Sequence, residues 1–150
     1  MSLIFPNARA MAWAGSLDLT TATIKAALLR PATSVASEID AKFLSDFSAL
    51  EEVTLGGYAR QTLTTPAIDD PGTGLVAFKA DDVAFGVLSP SATIGDSVGG
   101  ILLFVANGSP STDVPLAWID SVDPASIAFP YDAAGRPLSV TWAGGVVLSL

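Results

Sequence analysis

Apolar positions gather most densely between Val98 and Asp120. There the run Gly99-Gly100-Ile101-Leu102-Leu103-Phe104-Val105-Ala106 is separated from Val114-Pro115-Leu116-Ala117-Trp118-Ile119 by the polar stretch Asn107–Asp113. Both runs are short, bounded by Gly, Pro, Asn and Asp, and rich in β-branched and aromatic residues. That combination predicts two antiparallel strands rather than helices. The first run has no polar residue on either face, which predicts a central strand covered on both sides. Pro115 stands near the start of the second, where a missing N–H does least harm.

The rest of the chain is organised around this hairpin. Thr20–Leu29 alternates loosely and predicts a strand that Arg30-Pro31 terminates, with a loop over Pro31–Glu38. Ser37–Phe47 has a helical pattern. Ser37 can cap, Glu38 and Asp40 suit the positive end, and Ile39, Phe43 and Phe47 recur every four residues, predicting one short helix over about 38–47. Further strands are predicted at Glu51–Leu55, Gln61–Thr65, Gly74–Phe78 and Val83-Ala84-Phe85, with a turn at Asp69-Asp70-Pro71-Gly72 and a corner at Ala80-Asp81-Asp82. Turns at Asp123-Pro124 and Asp132–Gly135 flank Ser126–Phe129. Leu138–Trp142 and Val146–Leu150 are expected to close the chain as a hairpin about Ala143-Gly144-Gly145. Pro6, Asn7, Gly15 and Ser16 interrupt the first 19 residues, predicting an irregular N-terminal arm with one short extended piece. The pattern is that of a mainly β protein: a single antiparallel β-sandwich or barrel-like domain over 20–150, preceded by an arm over 1–19.

Composition adds a question of partners. Charged residues are 15% of the 150, against about 25% in typical soluble domains, while 50% are apolar and the mean hydropathy is +0.52. No apolar run approaches the roughly 20 residues of a membrane-spanning helix. The excess therefore predicts burial against other subunits, as a homo-oligomer (dimer or trimer), with an unusually apolar monomer as the other reading. Phe5, Met11 and Trp13 sit in a stretch too broken to make its own core. They are the candidate interface residues, covering either their own sheet or a neighbouring subunit. Residues 1–15 are expected to be dispensable for folding and needed for binding. The net charge of −8 and seven scattered basic residues leave no footprint for nucleic acid and oppose an anionic membrane. The N-terminal residues lack the basic and apolar regions of a secretory signal.

Candidate chemistry is sparse. Histidine and cysteine are both absent, which removes the commonest general base, the commonest metal ligand, the thiol nucleophile and every disulfide. Asp69-Asp70 and Asp81-Asp82 fit turn chemistry, with a Ca²⁺ site as the alternative. Gly56-Gly57, Gly99-Gly100 and Gly144-Gly145 lack phosphate-loop spacing. Gly86, Gly99 and Gly100 instead suit bulges or close backbone approaches. Catalytic, cofactor and metal residues are accordingly expected to be absent, and an enzyme is not expected.

Several segments in order carry a resemblance: Ile24–Leu29, Phe43-Leu44-Ser45-Asp46, Gly57-Tyr58-Ala59-Arg60-Gln61-Thr62-Leu63, Phe78–Phe85, Pro115–Asp120 and the ending Gly144-Gly145-Val146-Val147-Leu148. Together they resemble a group of small tailed-bacteriophage virion proteins similar to capsid decoration (cement) proteins, over about residues 24–150. The chain departs from that group at Leu29-Arg30-Pro31 and in its longer apolar arm before Thr20. The resemblance implies a structural protein without cofactors, made in the host cytoplasm and placed on the capsid exterior. Its partners would be the major capsid protein and further copies of itself. A tail, neck or fibre-linked component is the nearest alternative. A carbohydrate- or receptor-binding β module is another, for which Tyr58 and Tyr131 beside turns are the available aromatics.

Overall fold

In the computed structural model, which describes residues 2–70, 72, 76–93, 96–121 and 125–149, the two apolar runs pair as expected. In chain order the elements are β1 (Ser2–Ile4), α1 (Pro6–Trp13), β2 (Ile24–Leu29), β3 (Gln61–Thr62), β4 (Ala67–Asp69) and β5 (Ala77–Lys79). They continue with β6 (Val83–Leu88), β7 (Gly100–Val105), β8 (Val114–Ile119), β9 (Arg136–Val140) and β10 (Val146–Ser149). The main sheet has the order β1-β8-β7-β2-β3, a second sheet β10-β5-β4, and β6 pairs with β9; every pairing is antiparallel. The protein is mainly β and is not a closed barrel.

Strand alternation explains the unbroken apolar runs. Ile101, Leu103 and Val105 of β7, with Ile24, Ala26 and Leu28 of β2, enter one core beneath β5, β6, β9 and β10. Their neighbours Leu102, Phe104, Ala27 and Leu29 point the other way, into a second core with Trp118, Phe5, Val35, Leu44 and Phe47. A strand that feeds two cores has no face left for polar residues. The β7–β8 ladder slips between Leu103↔Ala117 and Phe104↔Pro115, so the residue without an N–H lies at a bulge. The hairpin loop closes on the buried Asp113, which accepts hydrogen bonds from the N–H groups of Asn107 (2.6 Å) and Gly108 (3.1 Å).

The glycines named from sequence are structural. A Cβ on Gly100 would lie 2.5 Å from the Trp118 ring, one on Gly99 2.5 Å from the Pro31 nitrogen, and Gly86 sits at the β6–β9 bulge.

Three expectations are corrected. The helix over 38–47 is absent except for one 3₁₀ turn at Leu44–Asp46. Acidic side chains there compete for the backbone: Glu38 accepts from the Ser48 N–H (2.9 Å), and Asp46 from those of Lys42 (2.9 Å) and Phe43 (3.0 Å). Leu44 and Phe47 are buried, whereas Ile39 and Phe43 are exposed, so the four-residue spacing marks no common buried face. The α-helix lies instead in the supposedly irregular arm. Pro6 opens it at a position that needs no N–H, and Gly15 (φ +70°) closes it while the Ser16 N–H reaches the Met11 carbonyl at 2.9 Å. The C-terminal hairpin does not form, because β9 pairs with β6 and β10 with β5.

Smaller departures follow the same logic. Glu51–Leu55 contributes one bridge, Leu29↔Glu52, rather than a strand. The turn at Asp123-Pro124, Pro71, the start of the strand expected at Gly74–Phe78, and Leu150 lie outside the described residues.

Candidate interaction surface

The arm is not an appendage. β1 forms an edge of the main sheet, with Ser2, Leu3 and Ile4 opposite Ile119, Trp118 and Ala117. The Phe5 N–H donates to the Leu116 carbonyl at 3.0 Å. Phe5 is completely buried and meets Phe47 edge-on, at 5.7 Å between ring centroids. Residues 1–15 thus hold a strand and a core aromatic, and removing them is expected to destabilise the domain as well as to affect binding.

Helical periodicity then separates the three candidate interface residues. Ala8 is buried and Met11 packs half-buried against the first core, on the inner side of α1. Trp13 ends the helix on the opposite side, 83% exposed, whereas Trp118 and Trp142 are 4% and 2% exposed. Of the three, Phe5 is closed off, Met11 is half-buried and Trp13 is the one that stands mostly in solvent. With Arg9 and Ala12 of α1, Val76 and Ser149, it lines a groove of about 490 Å³. Arg9 and Ala12, absent from the sequence-based candidates, join the groove because four-residue spacing puts Arg9 and Trp13 on one helix face.

The chain exposes 7143 Å², and a folded monomer of 15.3 kDa is expected to expose about 7,100 Å². The total is that of an ordinary monomer of this mass, and Ile39, Phe43, Ile68, Val76 and Val87 join Trp13 as large apolar side chains left at the surface.

The acidic pairs serve as local acceptors. Asp81 accepts from the Thr64 hydroxyl (3.1 Å), Asp82 from the Trp142 N–H (3.0 Å) and Asp70 from the Gly72 N–H (2.9 Å), while Asp69 is ion-paired with Lys79. Among the described residues no three acidic side chains converge on a potential metal position.

A partly buried tyrosine is structural too. β3 pairs with β2 only at Lys25 and Ala26, and Glu52 bridges β2 again at Leu29. In the gap, the Leu28 N–H donates to the Tyr58 hydroxyl (3.0 Å), which itself donates to Glu52 (2.5 Å). Arg60 grips the same carboxylate through Nε (3.0 Å) and Nη2 (2.9 Å), with its guanidinium 5.0 Å from the centre of the Phe104 ring. Burial pushes the Tyr58 hydroxyl well above the usual phenol range, helped by the hydrogen bond and charge of Glu52.

The sign of the pH effect follows. The folded-state value lies above the unfolded value of about 10, so this stabilisation is complete below that pH and is lost as the pH rises above it. Tyr58→Phe leaves the Leu28 N–H without its acceptor and should lower neutral-pH stability by about 1–2 kcal/mol. It should also flatten the alkaline decline. Urea unfolding at neutral and alkaline pH checks this, and an equally steep alkaline decline in both proteins would refute it. No family model, curated protein or solved structure matches the chain.

Proposed function

We propose that this chain is a structural protein of a tailed-bacteriophage virion, a capsid decoration protein that binds the outer surface of the major capsid shell and stabilises it. The observation that carries this reading is Trp13, 83% exposed at the end of a helix whose other side is packed into the domain. A large aromatic held rigidly outward is the type of residue that dominates protein–protein binding energy. The ordered series of segments that resembles small virion proteins supplies the setting. The acceptor roles of the acidic pairs, in a chain with neither histidine nor cysteine, favour adhesion over catalysis.

The test is direct. Purified chain is added to empty shells of the virus that encodes it, and bound protein is measured by co-sedimentation. Saturable binding that raises the temperature at which the shells disrupt is expected. Copy number per virion should be in the hundreds. A few tens of copies, confined to tail or neck fractions, would discard the reading in favour of another virion component.

A further inference from the structure

The groove beside Trp13 has a charge as well as a shape. Among the described residues its lining is mainly apolar, and the one charged side chain in it is Arg9. The chain has fifteen acidic and seven basic residues, and three of the cations are already paired: Arg30 with Glu51, Arg60 with Glu52 and Lys79 with Asp69. Among the described residues Arg9 has no carboxylate partner. An acidic protein therefore presents an uncommitted guanidinium one helical turn from its most exposed aromatic.

That pairing restricts the occupant. Covering Trp13 must also desolvate Arg9, and a buried cation without a counter-charge is strongly unfavourable. A carboxylate placed between Trp13 and Arg9 reverses this, because the planar guanidinium forms charge-assisted hydrogen bonds to both carboxylate oxygens. Resting on the decoration reading above, we propose that the groove receives a segment of the shell protein carrying an Asp or Glu beside a large apolar side chain. The apolar side chain packs against Trp13 and Val76, and the acid meets Arg9.

Empty shells are the probe, and the full-length chain carries Trp13→Ala, Arg9→Glu or Arg9→Lys. The side chains of Trp13 and Arg9 are exposed, so all three variants are expected to fold, which a melting temperature close to that of the wild type checks. Because Trp118 and Trp142 are buried, acrylamide quenching of tryptophan fluorescence in the free chain reports on Trp13. Shell binding is expected to remove that quenching. Trp13→Ala should weaken binding by about 30-fold or more. Arg9→Glu should weaken it by about tenfold or more, and Arg9→Lys by less, because the charge is kept.

Wild-type chain that binds shells while Arg9→Glu binds equally well, or while Trp13 stays quenchable, overturns this proposal and leaves the decoration reading standing. Wild-type chain that does not bind shells overturns both. Self-association abolished by Trp13→Ala, with shell affinity unchanged, assigns the groove to a second copy and overturns the proposal.

Discussion

Phe5→Ala is expected to remove about 3–5 kcal/mol of folding stability, the range for deleting a fully buried aromatic. The side chain is inaccessible, meets Phe47 edge-on and belongs to the second core with Leu102, Phe104 and Trp118. Domains of this size are stable by only about 5–15 kcal/mol, so the loss is a large part of the total. It should appear as a drop on the order of 10 °C in melting temperature. Trp13→Ala, eight residues later, should change stability by no more than about 0.5 kcal/mol, because the side chain is 83% exposed. Urea denaturation of the two variants beside the wild type divides the arm into a folding part and a binding part. Equal stability of Phe5→Ala and wild type would show that β1 and Phe5 are an appendage after all.

Gly100→Ala is the second large effect, and its sign is the informative part. Within a strand, exchanging glycine for alanine ordinarily stabilises by about 0.4–1 kcal/mol, because it restricts the unfolded chain. At Gly100 the new Cβ would lie 2.5 Å from Cη2 and Cζ2 of Trp118 and 2.7 Å from the Ile119 carbonyl oxygen. The indole is itself packed in the second core, and the carbonyl belongs to the neighbouring strand, so neither can yield without opening the sheet. Overpacking of this kind costs about 1–3 kcal/mol, which outweighs the entropic gain. Net destabilisation by about 1–2 kcal/mol is expected. In a Trp118→Leu background the penalty should shrink, since two of the three close contacts belong to the ring. A stabilised Gly100→Ala protein would refute the packing.

Much of the fold is legible along the chain, for a specific reason. The strands Gly100–Val105 and Val114–Ile119 are buried on both faces, so every position in them had to be apolar, and that uniformity survives without any knowledge of neighbours. The helix was legible in principle. Pro6 at the first helical position, Ala8, Ala10 and Ala12 within it and Gly15 just beyond its end make a start signal, a run of strong helix formers and a stop signal. Taking Pro, Asn and Gly as breakers hides it. At Ser37–Phe47 the reverse holds: residues with helical spacing are drawn into turns because Glu38 and Asp46 bind backbone N–H groups more locally than a helix would.

Other features have no local signature. Leu138–Trp142 and Val146–Leu150 look like partners because they are adjacent. Gly144 (φ +62°) and Gly145 (φ +75°) redirect the chain, and each strand completes a different sheet. The groove is likewise invisible in sequence. Phe5, Met11 and Trp13 are equally apolar in the sequence, and only the tertiary structure puts Phe5 in the second core, Met11 against the first and Trp13 outside with Arg9 beside it.

What the sequence by itself determined is the class and the centre of this protein: mainly β, built on the hairpin Gly100–Ile119, because double-sided burial writes itself into composition and alternation. Which edges pair, which aromatics are hidden and where one tryptophan is left outside were decided by the tertiary structure alone. Those outcomes depend on residues far apart in the chain meeting across a core, and no short stretch of sequence contains both sides of such a contact.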